Sequence, residues 1–322
     1  MWNNNRPEII KEILKDSPID FIDVGTSGGI TDLSGLSDLM ICQGFEPNIN
    51  EISKLENKQT NQSYLKKRGV KKLPNYKSKK FYPYALSSKD GHGTLYITRS
   101  QGTSSMLKPN TEVLKNLRQN AWINGFEVIK EEKVKTVTLD TFFNKNNLTH
   151  IDFIKLDTQG TEYDILKCSK TIENNVSVIK TEAEIVQLYE NQGLLHDISN
   201  LLYEKGYSLI NLDLKPLFHL KNTFPKSYNR LGWVDAIFIR ELKNWNCKEQ
   251  LTLFKQAIII AELGFVDLSG YLLKNINIIK ESDKYEIIKY YGNYPHTSIK
   301  KRLMIKTAKY FNNKLFSFFK KF

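Results

Sequence analysis

Asp20-Phe21-Ile22-Asp23-Val24-Gly25-Thr26-Ser27-Gly28-Gly29 decides the fold. Its apolar residues read as a buried strand, and the three glycines that follow read as a turn. A second apolar segment, Met40-Ile41-Cys42-Gln43-Gly44-Phe45, ends at Glu46, 21 residues after Gly25. A strand, a glycine-rich turn and an acid closing the next strand make the first half of a nucleotide-type site in an open α/β sheet. The glycines let the backbone approach a ligand, and the acid accepts both ribose hydroxyls.

The spacing Gly25-x-x-Gly28-Gly29 differs from the G-x-G-x-x-G of dinucleotide enzymes, and no helix N-terminus is clearly set up for a pyrophosphate. A cofactor with a ribose and no phosphate fits better, and S-adenosylmethionine (SAM) meets that description. Asp23, Gly25 and Glu46 then frame its site.

Outward from this point, strands and helices alternate. Residues 6–17 read as a short amphipathic helix, and Gly29 to Met40 as a helical segment. Pro47-Asn48 opens a helix. Lys66 to Lys80 holds eight basic residues and no acid, with Gly69 and Pro74 inside, and reads as a loop. Strands are expected at Phe81–Leu86, Thr94–Thr98 and Val134–Leu139, with Asp140 capping a helix. Further strands are expected at Ile151–Leu156, Val176–Thr181, Tyr207–Leu212 and Trp233–Ile239. This pattern predicts an α/β layer fold with a mostly parallel sheet and helices on both faces. After about residue 240 no strand is legible. Gln250–Leu263 and Val266–Ile279 read as an αα-hairpin broken at Gly264. Residues 299–322 carry eight lysines and arginines and no acid. Met304, Ala308, Phe311, Leu315, Phe318 and Phe322 share one helical face there. The expected organisation is a helix over 1–17, a catalytic domain over 18–240, a helical extension over 241–298 and a basic amphipathic helix over 299–322.

Composition sets limits. The chain has 322 residues and a net charge of +12, which favours anionic partners. No apolar run approaches the ~18 residues of a membrane span, and the first residues lack the order of a secretory signal. Three scattered cysteines argue for free thiols in a reducing compartment, and no Cys or His pair has zinc spacing. A cytoplasmic protein is the expectation.

The quoted segments resemble FkbM-type SAM-dependent methyltransferases. Ile22-Asp23-Val24-Gly25, Phe45-Glu46-Pro47-Asn48, Leu139-Asp140-Thr141-Phe142, Asp152 through Glu162, Glu182-Ala183-Glu184 and Leu188-Tyr189-Glu190-Asn191-Gln192 occur in that family's order over about residues 18–240. Thr26-Ser27 stands where the family often has Ala-Asn, and the last 80 residues are no part of the common core. The resemblance implies a Rossmann-like class I methyltransferase sheet and methyl transfer to oxygen, usually a hydroxyl of a sugar or polyketide. It implies SAM contacts from Asp23, Gly25, Thr26, Ser27, Gly28, Glu46, Pro47, Ser87 and Ser105. The expected acceptor is a glycan or related metabolite, of the kind used in surface polysaccharide or glycolipid synthesis.

A hydroxyl acceptor must lose its proton, and a carboxylate or His within reach serves as base. Ligands of an open sheet sit outside the carboxyl ends of its strands, so Asp157 and Glu182 are the first candidates. Asp157 can equally cap a helix, and Glu182 can pair with a surface lysine. Together they could instead hold a divalent ion such as Mg²⁺. Glu162 complements a helix dipole, and His196 is a third candidate base beside its reading as a surface histidine. Two other function classes stay open. The charge and the Lys66–Lys80 run suggest a nucleic-acid methyltransferase, but Asp157-Thr158-Gln159-Gly160 replaces the Asn/Asp-Pro-Pro-aromatic turn of base-directed enzymes, which makes nucleic acid the weaker reading. A non-catalytic binding module is the other. The basic terminal helix points to an anionic membrane surface, at the inner face, and to a lipid-linked glycan there.

Overall fold

Seven strands form the central sheet of the computed structural model, which describes residues 6–57, 73–117, 121–215, 217–218, 230–244 and 249–293. In chain order the strands are β1 (Ile19–Val24), β2 (Met40–Phe45), β3 (Ser78–Tyr82), β4 (Ala85–Leu86), β5 (Gly91–Thr98), β6 (Val128–Val137), β7 (Ile151–Leu156), β8 (Val176–Glu184), β9 (Tyr207–Leu214), β10 (Leu217–Phe218), β11 (Arg230–Leu231) and β12 (Trp233–Arg240). The central order is β3-β2-β1-β7-β8-β12-β9. All pairs are parallel except those of β12, which runs against both β8 and β9. β4, β6 and β5 make a second, three-stranded sheet. The strand order reverses between β1 and β7, the place where open α/β sheets bind ligands.

The inner parallel strands are largely apolar because both faces of the sheet are covered there. One face sends Phe21, Phe153, Val178, Ile237 and Ile239 against α1 (Glu8–Asp16) and the C-terminal helices. The other sends Ile22, Ile154, Ile179, Ala236 and Phe238 into a second cluster with Phe142, Ile198 and Leu202. Register then lines up the strand ends. Val24 pairs with both Phe45 and Leu156, and Leu156 pairs with Thr181. The next residue on each chain is Gly25, Glu46, Asp157 and Glu182, so four residues spread over 158 positions meet along one edge.

Several local expectations give way to the structure. Gly29–Met40 is no α-helix. It holds one 3-10 turn, Ser34–Leu39, entered through Leu33 at φ +51°. Two glycines and five small polar residues within Gly29–Asp38 are poor helix formers. Of the Lys66–Lys80 loop, residues 66–72 lie outside the described residues. Ser78–Lys80 belong to the edge strand β3, where exposed lysines discourage pairing with another chain. The strand expected at Phe81–Leu86 is split around Pro83 into the ends of β3 and β4. Asp140 is not a cap, since Thr138 accepts the Thr141 N–H at 3.1 Å. The Asp140 carboxylate instead accepts from Ser169 Oγ, Thr171 Oγ1 and the N–H groups of Lys170 and Thr171.

After α1 the described helices of the α/β layers are α2 (Ile49–Glu56), α3 (Thr111–Asn116), α4 (Ala121–Asn124), α5 (Leu139–Lys145), α6 (Glu162–Lys167), α7 (Thr171–Asn174) and α8 (Leu195–Glu204), and the C-terminal extension adds α9 (Gln250–Glu262), α10 (Val266–Leu273) and α11 (Glu281–Gly292). Ile258, Leu272, Ile276, Ile287 and Tyr291 share one apolar cluster with the sheet. Lys255 of α9 reaches the buried Asp152 at 2.9 Å and the Pro18 carbonyl at 2.8 Å, which ties the extension to β7 and to the entry of β1. Residues 299–322 lie outside the described residues. Among those described, no helix is long and apolar enough to cross a membrane.

Candidate active site

The turn after β1 is fixed by backbone first. Gly25 sits at φ +84°, and a Cβ there would lie 2.0 Å from the Asp157 carbonyl oxygen. Its N–H donates to the Phe45 carbonyl at 3.0 Å, as does that of Thr26 at 3.1 Å. Gly25 is therefore demanded by the close approach of β7, a different reason from the ligand approach inferred for it above. Thr26 is buried and donates its hydroxyl to Phe45. Ser27 and Gly28 face a cavity of about 650 Å³.

Glu46 lines that cavity from the end of β2, at 7 % exposure. Among the described residues its carboxylate accepts one hydrogen bond, from the Asn48 N–H at 2.9 Å. Burial pushes its carboxyl up to about 7, with Glu51 and Asp23 adding to the rise and the Asn48 N–H opposing it. Asn48 in turn accepts from Asn50 and starts α2 (Ile49–Glu56).

Across the cavity stands a cluster built by the turn after β7. Gln159 is held at φ +60°, a conformation that a branchless glycine favours and glutamine rarely adopts. In this pose its Nε2 donates to both Asp157 Oδ1 (2.9 Å) and Glu182 Oε1 (2.5 Å). Its Oε1 accepts from the Tyr189 hydroxyl at 3.2 Å, which also donates to the Thr103 carbonyl at 3.0 Å. Glu162 closes the turn from below, accepting the N–H groups of Thr158 (2.6 Å) and Gly160 (2.8 Å). Burial, and then Asp157, Glu184, Glu162 and Asp235, lift the Glu182 carboxyl well above the ordinary carboxylate range. Behind this cluster Lys155 lies 3.3 Å from both Asp157 and Asp23.

The structure gathers Gly25, Ser27, Gly28, Glu46, Pro47, Ser105, Asp157 and Glu182 around one cavity. Four expected residues are not among its lining. Asp23 is buried and pairs with Lys155. Thr26 turns inward to Phe45. Ser87 follows β4, where its N–H donates to Val137. His196 stands in the first turn of a helix, Leu195–Glu204, with its side chain 71 % exposed, and its near neighbour is Asp197 at 3.4 Å. The structure does not bring His196 to the cavity where Asp157 and Glu182 meet. Among the described residues no group of three or more His, Cys, Asp or Glu is arranged to hold a metal ion. The amide Nε2 of Gln159, a donor, fills the gap between Asp157 and Glu182, so this pair does not fit Mg²⁺.

Sequence reasoning missed Gln159, Lys155, Tyr189 and Trp233. Lys155 had a signal, a cation between Ile154 and Leu156 in a buried run. Trp233 lines the cavity from the first residue of β12 and stacks on Trp122, with ring centroids 5.1 Å apart and planes 16° from parallel.

Comparison with known proteins adds the family. The family model of the methyltransferase FkbM domain matches residues 41–209, just over half of the chain. No curated protein matches the chain. Among solved structures, the chain is similar to magnesium protoporphyrin IX methyltransferase (ChlM) from Synechocystis PCC 6803 with bound SAM. The identity is 10%, with 74% of this chain and 79% of that chain covered, at a TM-score of 0.30. It is similar to TehB from Haemophilus influenzae at 11% identity, covering 73% of this chain and 62% of that one, with a TM-score of 0.31. For precorrin-6y C5,15-methyltransferase from Geobacter metallireducens GS-15 the values are 11%, 73%, 89% and 0.30.

Proposed function

The chain belongs to the FkbM family of SAM-dependent methyltransferases, and from that premise we propose that it methylates a hydroxyl oxygen of a glycan sugar or a related metabolite. The observation that supports this is the pairing of Glu46, at the end of β2, with a buried carboxyl cluster across one cavity. Bound there, SAM supplies an electrophilic methyl group on a sulfonium. Glu46 accepts the ribose hydroxyls, and Gly25, Ser27 and Gly28 shape the wall beside it. Asp157 would face the acceptor oxygen and take its proton as the methyl group passes from sulfur to that oxygen, with the protonated Glu182 carboxyl beside it. Their shared contact with Gln159 fixes their geometry. Orientation of this kind supplies ~7–11 kcal/mol, and a positioned base adds ~10²–10⁴-fold.

The acceptor belongs to surface polysaccharide or glycolipid synthesis in this reading. Residues 299–322 hold the enzyme at an anionic inner membrane surface, where each basic residue contributes ~1 kcal/mol. Incubation with SAM labelled in the methyl group and fractionated cell extract tests the activity. Label is expected in base-stable ether linkage within the glycan fraction. Label confined to RNA, with a steep salt dependence, would replace this function with nucleic-acid methylation. Co-sedimentation with anionic vesicles at low salt tests the surface. The full chain should bind and a chain ending at Asn293 should not; equal binding of both disposes of the membrane role.

A further inference from the structure

A second cavity, of about 610 Å³, adjoins the first and shares Asp157, Glu182 and Trp233 with it. Its floor is the carboxyl-end half of one sheet face. The amino-end half of that face is apolar and covered by α1 and α9. The other half is charged, with Lys155 and Asp157 from β7, Lys180 and Glu182 from β8, Asp235 from β12, and Asp213 and Lys215 at the end of β9. Glu182, Asp235 and Asp213 are directly in register across three strands.

The cavity runs against the charge of the chain. The molecule is +12, yet here five carboxyl groups (Asp32, Asp157, Glu182, Asp213, Asp235) stand with three lysines. Each lysine is already neutralised. Lys155 lies 3.3 Å from Asp23 and from Asp157, and Lys180 is bonded to Asp32. Lys215 is clamped between Asp213 at 2.7 Å and Asp235 at 3.0 Å. An anionic ligand would meet lysines whose charge is already taken up by carboxylates. A neutral ligand rich in hydroxyls meets fixed donors and acceptors and carries no charge to desolvate. One wall is an indole. Trp233 is held flat by its stack on Trp122, and such a face takes the C–H side of a sugar ring.

We propose that this second cavity is the acceptor site, and that it selects an uncharged polyhydroxylated ring held between Trp233 and the Asp213–Lys215–Asp235 triad. The proposal rests on the methyl-transfer reading of the first cavity and narrows its substrate to neutral sugars. Among the described residues, the lysines that line this site are each paired with a carboxylate.

The test is ligand-observed NMR on the full chain, with S-adenosylhomocysteine present. Methyl glucoside, methyl galactoside and methyl mannoside are compared with glucose 6-phosphate and glucuronate. Neutral glycosides should bind, and Asp213→Asn and Asp235→Asn, each at a solvent-reached carboxylate, should weaken them at least about tenfold. S-adenosylhomocysteine affinity, read by calorimetry, should be unchanged in both variants, because neither residue lines the first cavity. Preference for the phosphate or uronate, no binding of any ring, or binding indifferent to both substitutions would overturn the proposal. Failure of the unsubstituted protein to bind S-adenosylhomocysteine, with neutral rings still bound, would instead sink the methyl-transfer reading and leave the cavity assignment standing. Circular dichroism melts of the variants confirm that they fold.

Discussion

Glu46 offers the sharpest residue-scale prediction, because its role and its protonation are coupled. Its carboxyl titrates near 7 in the free protein, raised by burial. Ribose hydroxyls donate only to lone pairs, and they favour the ionised form. Binding then expels a proton below pH 7, so SAM affinity should rise about tenfold from pH 6 to pH 8 and level off above. Calorimetry in two buffers of different ionisation enthalpy counts that proton. Glu46→Gln should lose both the slope and ~1.5–3 kcal/mol of affinity at pH 8; an unchanged slope would remove Glu46 from the cofactor site. The second prediction concerns Gln159. Gln159→Leu removes the amide that holds Asp157 and Glu182 together, and Asp157→Asn removes one member of the pair. Each should cut turnover by ~10²-fold or more, with a smaller change in SAM affinity. EDTA should leave turnover of the unsubstituted enzyme unaffected, and rescue by Mg²⁺ would contradict the donor seen between the carboxylates. At this scale the sequence showed Glu46 and Asp157, which directly follow strand ends, and Glu182, which stands just inside the end of β8, since an apolar run followed by a carboxyl marks a sheet edge. Side-chain direction was hidden. Asp23, one residue before its strand ends, points to Lys155 and away from the cavity. Gln159 matters through a backbone angle of +60° that no spacing encodes.

At the scale of elements, the tightest junction is the crossing of the β1 turn with the end of β7. A Cβ at Gly25 would lie 2.0 Å from the Asp157 carbonyl oxygen and 2.9 Å from its carbon, both backbone atoms that cannot rotate away. The residue also sits at φ +84°. Gly25→Ala should therefore cost more than ~3 kcal/mol in denaturant unfolding and displace Asp157 from Gln159. Gly102→Ala is the matched control, since nothing lies within 4 Å of its added Cβ. Equal midpoints for the two variants would show that the turn yields. The four inner parallel strands were legible because each is a short, largely apolar run buried on both faces. The helix expected over Gly29–Met40 failed because hydrophobic residues alone do not offset Gly, Ser and Asp at this density. α11 went unseen for the opposite reason. It is charged all round and buries only Lys284, Ile287 and Tyr291, so it lacks a continuous apolar stripe.

Across the whole molecule, buried carboxyls set how stability follows pH. Glu46 is raised to about 7, and burial holds Glu182 and Glu184 well above the ordinary carboxylate range. A carboxyl raised on folding binds its proton more tightly in the native state than in the unfolded one. Its contribution is therefore full below the unfolded value near 4.5 and is lost as pH climbs through the folded value. His150 opposes this at low pH. Buried and held down to about 3, it costs stability as pH falls below its ordinary 6.5. The two trends compete between pH 4.5 and 6.5, and above 6.5 the contribution of His150 is complete while that of the raised carboxyls continues to fall. The ligand-free protein should thus lose stability from pH 6.5 to 8.5, by about 1.4 kcal/mol per pH unit for each carboxyl still protonated. Saturating SAM should flatten the part due to Glu46, because a bound ribose favours its ionised form. Glu46→Gln should flatten the same part without ligand. Thermal melts across this range decide the matter. A midpoint that rises with pH would mean that Glu182 and Glu184 reach solvent or a cation and do not stand buried beside Asp157 and Glu162. The fold class was open to sequence reasoning because strand alternation is a one-dimensional signal. This pH response was not, because it depends on Asp157, Glu162, Glu182 and Glu184 meeting in space after two strands and their turns have brought them together.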